Sequence, residues 1–140
     1  MKTQHNNTPS KENREYWLFA ERKAGSYPTH TQRGGKWLIF VSRNAVDEVW
    51  RKIKEAVERG KLGDSAKVST AKPNPNSTDS SKHVICVYTY DALDKADVRQ
   101  IRSSLRDLGI TNKIPYKTDA ATLHGRYRKA GDKRISLYYE

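Results

Sequence analysis

The chain is poor in the residues on which many sites and scaffolds depend, and each scarcity removes a class of protein. Cys86 is the single cysteine, so no intramolecular disulfide forms and a cysteine-rich zinc site is excluded. Its neighbours in Val84-Ile85-Cys86-Val87 are apolar, a setting that favours a buried, structural thiol. The four histidines lack metal-ligand spacing, and neither a Gly-x-Ser-x-Gly elbow nor a Walker loop occurs. No metal and no cofactor is expected. No apolar stretch follows Met1 as in a signal peptide, and no run is long enough to span a bilayer. An intracellular, cytoplasmic protein without membrane contact is expected. Acidic residues are the minority, 16 against 27 lysines and arginines, for a formal charge of +11. That balance favours phosphate-rich or acidic partners over membranes and cationic ligands.

Apolar residues are almost missing from the beginning of the chain and from the segment between Pro73 and Ser81. Residues 1–13 are therefore expected to form a disordered arm, and 14–140 a single α+β domain. The loop from Lys72 to Lys82 has turn chemistry throughout.

The remaining residues alternate between strand and helix patterns. Glu15 to Ala20 is short and aromatic, suited to a strand. Arg33-Gly34-Gly35-Lys36 reads as a flexible basic turn able to hold an anion, and it leads into Trp37-Leu38-Ile39-Phe40-Val41. Trp37, Ile39 and Val41 share one face of that strand, and Lys36, Leu38 and Phe40 the other. An interior position is expected, paired with the first strand, and Trp37 reads as core packing. Val46, Val49, Trp50, Ile53, Ala56 and Val57 recur at helical spacing, with Asn44 as cap, Asp47 and Glu48 near the first turn and Gly60 as stop.

Lys67 to Thr70 and His83 to Tyr90 are further strands, the second nearly continuous in apolar or aromatic residues. A second helix runs from Asp94 and Asp97 to Gly109, burying Val98, Ile101, Leu105 and Leu108. Arg99, Arg102 and Arg106 recur beside that stripe. They either track a phosphate backbone or form a solvated face whose stems cover core edges. Lys113 to Lys117 is extended, with Pro115 at an edge or a strand start. Leu123 to Arg128 and Arg134 to Tyr139 read as a hairpin. The expected architecture is a curved antiparallel sheet with helices packed on one face and the other face partly open.

Arg33-Gly34-Gly35-Lys36-Trp37-Leu38-Ile39, Asp47-Glu48-Val49-Trp50 and Val84-Ile85-Cys86-Val87-Tyr88-Thr89 resemble the messenger-RNA cap-binding initiation factors. A closer resemblance is to the Bles (basophilic-leukaemia-expressed) family of the same fold. It is carried by Lys67-Val68-Ser69, Ile85-Cys86-Val87-Tyr88-Thr89, Tyr116-Lys117-Thr118-Asp119 and Gly125-Arg126-Tyr127. The likeness extends over residues 15–140. In the cap-binding factors the basic residue before the strand tryptophan meets phosphates, so the resemblance gives Lys36 that role. Cap recognition also needs two aromatic rings around a methylated base and a carboxylate at its edge. Between Ala24 and Gly35 the chain offers Tyr27 and His30 but no Trp-Glu pair. A different phosphorylated ligand is therefore expected.

The expected site gathers Lys36, Lys67, Lys117 and Arg126, with Tyr88, Tyr127, Asp119 and His124 as accessories. All four cations lie on or beside predicted strands, where fixed geometry lets several converge on one phosphate. The function expected is a non-catalytic module binding a nucleotide or RNA end. One alternative, implied by the Bles resemblance, is a phosphothreonine-lyase-like enzyme, using Lys117 or Lys67 as base with His124 and Arg126. The other is a protein-interaction module working through the helical face.

Overall fold

Alternation along two strands sorts the side chains of this protein into a face packed on the helices and a face turned away from them. The computed structural model describes residues 8–73, 81–120 and 137–140. Their elements run β1 (Trp17–Glu21), β2 (Gly35–Ser42), α1 (Arg43–Glu58), β3 (Ser65–Ser69), β4 (Lys82–Thr89), α2 (Lys95–Asp107), β5 (Pro115–Thr118) and β6 (Tyr138–Tyr139). The strands form one sheet in the order β1-β3-β4-β2-β5-β6, and every described pairing is antiparallel. This is an α+β fold with a curved antiparallel sheet.

On the packed face Trp37 and Ile39 of β2 stand opposite Val87 and Ile85 of β4. They join Val46, Trp50, Ile53, Ala56 and Val57 of α1 and Val98, Ile101 and Leu105 of α2 in one core. Each fully buried aliphatic or aromatic side chain there contributes about 1.5–3 kcal/mol of transfer free energy as an upper bound. Trp37 is fully buried, its Nε1 donates to Val98 O at 3.0 Å, and its ring meets Tyr116 edge-on at 5.2 Å. The core-packing reading of Trp37 stands, and Trp50 is fully buried in the same core.

The pairing expected for β1 is different. β1 bonds to β3, with Trp17 opposite Ser69, while β2 lies between β4 and β5. β2 buries residues on both faces and so takes a central position. β1 buries only Ala20, and it sits at the sheet edge.

α1 also begins earlier than expected. Ser42 occupies its N-cap position without a side-chain cap bond, and Asn44 lies inside the helix. Asp47 instead accepts from the Ser10 amide at 2.9 Å and the Ser10 hydroxyl at 2.5 Å. Within the arm expected over 1–13, the described part is thereby tied to α1. Ala71 N donates to Pro9 O at 3.0 Å as well.

α2 follows its sequence signals. Asp94 accepts from Asp97 N at 3.1 Å, and Gly109 ends the helix at φ +100, a region glycine enters without steric cost. Pro115 opens β5 as its first residue. The first arm of the expected C-terminal hairpin and most of the loop from Lys72 to Lys82 lie outside the described residues.

Candidate ligand-binding site on the open sheet face

Alternation puts Lys36, Leu38 and Phe40 of β2 on the face away from the helices. The register adds the rest. Lys36 stands directly opposite Tyr88 of β4 on one side and Lys117 of β5 on the other. Lys67 of β3 stands opposite Cys86, which in turn faces Leu38. Lys36, Lys67 and Lys117 therefore gather around Cys86 and Tyr88 on one face. The Cys86 thiol registers this arrangement: burial pushes its pKa up, against the opposing pull of Lys67, Lys36 and Lys117. Burial likewise raises the Tyr88 phenol, which stays neutral and able to donate.

Asp119 is the hub of the cluster. Its Oδ1 accepts from Lys36 Nζ at 3.0 Å, and its Oδ2 lies 2.8 Å from His30 Nε2. Its amide donates to Gly34 O at 2.9 Å, which fixes the carboxylate at the mouth of β2. The Lys36 side chain is 10% exposed and that of Asp119 30%, so the carboxylate is the more accessible partner. The His30 ring lies 6.3 Å from that of Tyr88 in an edge-on arrangement. Lys67 Nζ sits 3.9 Å from the centre of the Trp17 ring, a cation–π contact that holds the ammonium on the open face.

The turn before Lys36 works differently from the anion loop expected of it. Neither Gly34 nor Gly35 has a positive φ. A Cβ on residue 34 would lie 1.8 Å from His30 Nε2, and one on residue 35 would lie 2.3 Å from the Tyr116 hydroxyl. The glycines are there to let two rings sit against the backbone. Arg33 is a loop brace, donating to Asp91 at 2.6 and 3.2 Å, while Thr31 Oγ1 donates to the same carboxylate at 3.0 Å.

The α2 arginines divide. Arg102 is 3% exposed and donates to Glu140 O, Ile110 O and Asn112 O at 2.8–2.9 Å. Arg106 donates to Thr111 O at 2.9 Å. Both are committed to carbonyls beyond their helix, so phosphate tracking along α2 does not hold for them. Tyr27 is also engaged away from the open face, donating to Asp97 Oδ2 at 2.5 Å and accepting from Tyr90 N at 3.2 Å. His83 is buried, with Nδ1 bonded to Ser69 O at 2.7 Å and Nε2 accepting from Arg43 at 3.0 Å.

Of the expected site residues, Lys36, Lys67, Lys117, Tyr88 and Asp119 come together. Arg126, Tyr127 and His124 lie outside the described residues. His30 and Trp17 join the cluster although no motif marks them. His30 lies in the connection from Gly25 to Gly35, where the sequence offers it with Tyr27 and Pro28 as residues able to line a ligand site. Among the described residues no group of three or more His, Cys, Asp or Glu side chains is placed to hold a metal ion. No helix among them is long and apolar enough to cross a membrane.

The sheet and its helices define a class, that of the eIF4E translation initiation factor fold. A schistosome eIF4E solved with m7GpppA and 4E-BP superposes with a TM-score of 0.56 at 16% identity, over 77% of this chain and 59% of that one. C. elegans eIF4E-3, solved with the 4E-binding protein Mextli and a cap analog, gives 0.51 at 23% identity, over 66% of this chain and 54% of that one. The chain thus spans 59% and 54% of the length of these two structures. The family model of the Basophilic leukemia-expressed protein Bles03 matches residues 26–124, and the chain belongs to that family. The matched segment contains His30, Lys36, Lys67, Tyr88, Lys117 and Asp119, and it ends before Arg126 and Tyr127.

Proposed function

We infer that the protein is a non-catalytic module that binds a phosphorylated ligand, a nucleotide or an RNA end, on the open face of its sheet. Lys36, Lys67 and Lys117 meet the phosphate. One observation carries this reading: the strand register sets three lysines, from β3, β2 and β5, on one face around Cys86 and Tyr88 of β4. Strands hold such groups in fixed geometry, so less ordering is lost when one anion engages several of them. The formal charge of +11 adds long-range attraction for polyanions. The two structures of the same fold were solved with m7GpppA and with a cap analog, which agrees with a phosphate-bearing nucleotide as ligand.

The test is a binding panel of a nucleoside 5′-monophosphate, a 5′-phosphorylated RNA oligonucleotide and a phosphothreonine peptide, at two salt concentrations. The nucleotide and the RNA end are expected to keep measurable affinity at the higher salt. Affinity that collapses equally for every anion would reduce the site to nonspecific charge. A phosphothreonine peptide returned with a dehydrated threonine would establish a lyase instead.

A further inference from the structure

The cation that is expected to meet phosphate already holds an anion. Both oxygens of Asp119 are engaged, one by Lys36 Nζ at 3.0 Å and the other by His30 Nε2 at 2.8 Å. The backbone bond from Asp119 N to Gly34 O, at 2.9 Å, keeps this carboxylate beside the mouth of β2. The His30 ring packs on Gly34, in the space that a Cβ there would take. The Lys36 side chain is 10% exposed and that of Asp119 30%, so the carboxylate is the more accessible partner of the pair. An anion that reaches the Lys36 ammonium therefore competes with this carboxylate for it.

We propose that Asp119 is an internal counter-anion that closes the open-face site to phosphodiesters and admits terminal phosphomonoesters. The inference rests on the reading that Lys36 meets phosphate. A phosphodiester carries one negative charge, as the carboxylate does, so the exchange of one for the other gains little. It also has only two non-bridging oxygens for Lys36, His30 and Lys117 to share. A phosphomonoester carries a charge of about −1.5 to −2 near neutrality and three acceptor oxygens. It replaces the carboxylate with a surplus of charge, and Lys117, directly across the sheet from Lys36, is placed to meet that surplus. The ligand is then a chain end or a mononucleotide rather than the interior of a nucleic acid strand. The apparent affinity for any anion is lowered by the share of the time Asp119 holds the cation.

The experiment is an NMR titration of the full chain with methyl phosphate and with dimethyl phosphate, on the wild type, Asp119→Asn and Asp119→Ser, with a thermal melt of each. In the wild type, methyl phosphate is expected to shift resonances of Lys36, Tyr88 and His30. Dimethyl phosphate is expected to leave them in place at concentrations where methyl phosphate saturates. In both variants methyl phosphate should bind about tenfold tighter, and dimethyl phosphate should become a measurable ligand. Unchanged or weaker methyl phosphate binding in the folded variants would overturn the proposal, as would equal binding of the two probes by the wild type. If neither probe moves these resonances in any of the three proteins, the phosphate reading fails, and this inference with it. A purely structural Asp119 predicts lower affinity and a lower melting temperature, never a gain of dimethyl phosphate binding.

Discussion

Lys36 and Lys117 stand directly opposite one another across β2 and β5, and Asp119, just past the end of β5, pairs with Lys36 at 3.0 Å. Like charges facing across a sheet repel, so a patch of this kind holds its geometry only where neighbouring structure over-determines it. Here that structure consists of a central strand bonded on both sides, a carboxylate at its mouth and two rings packed on glycine backbone. Each support can be tested by a change that leaves the others in place.

Gly34 and Gly35 look equivalent in sequence and should differ sharply when each is replaced by alanine. A Cβ at residue 35 meets the hydroxyl and ring of Tyr116 at 2.3–2.8 Å, and that ring is fully buried, so it has nowhere to go. Gly35→Ala is expected to cost about 3 kcal/mol by urea denaturation. At residue 34 the obstacle is the His30 ring, whose side chain is 36% exposed and has room to swing away. Gly34→Ala should cost less than about 1 kcal/mol while the His30 ring resonances lose their coupling to Asp119. Equal destabilisation by the two substitutions would contradict this account of the turn.

Arg102 and Arg99, three residues apart on α2, should separate in the same way. Arg102→Met leaves the carbonyls of Ile110, Asn112 and Glu140 without their donor and is expected to cost about 3 kcal/mol in chemical denaturation. Arg99 is exposed, and Arg99→Ala should stay within about 0.5 kcal/mol. Neither should change affinity for a small phosphorylated ligand by more than about twofold, because neither belongs to the open face.

Acid should loosen the loop that carries His30 through Asp91. The Arg33 guanidinium, the Leu93 amide and the Thr31 hydroxyl hold the Asp91 carboxyl below its usual range. A carboxyl whose pKa is lower in the folded state adds stability above its unfolded value, near about 4. That stability is lost as pH falls through the lower folded value. Asp91→Asn should therefore flatten the stability profile below about pH 4, followed by melting temperature against pH. A parallel shift of the two profiles at all pH values would show that Asp91 does not act through its charge.

Much of the fold was legible because the strongest elements carry period-two or helical patterns with apolar residues on matching positions. β2 and β4 read as interior strands because both of their faces are apolar, and α1 read as a buried-face helix because Val46, Trp50, Ile53 and Val57 align. Strand partners were less legible. β1 pairs with β3 rather than β2 because pairing depends on which edges remain free once the central strand is placed, and no residue of β1 encodes that. The helix arginines show a similar limit: spacing puts Arg102 beside the apolar stripe, but the carbonyls it bonds lie in the following turn and at the chain's last residue. Within the site, Lys36, Lys67 and Lys117 were recognisable as strand cations. The place of Asp119 follows from register, since only the pairing of Lys36 with Lys117 brings the residue after β5 to the Lys36 ammonium.

The most direct measurement is calorimetric titration of a nucleoside 5′-monophosphate into the wild type, Lys36→Gln and Lys52→Gln. Lys52 lies on the exposed face of α1, so its loss changes net charge by the same amount without touching the open sheet face. At matched ionic strength, Lys36→Gln is expected to weaken binding at least about tenfold, and Lys52→Gln by less than about twofold. Equal weakening by the two substitutions would contradict a phosphate site at Lys36 and leave only the general attraction of a basic protein for anions.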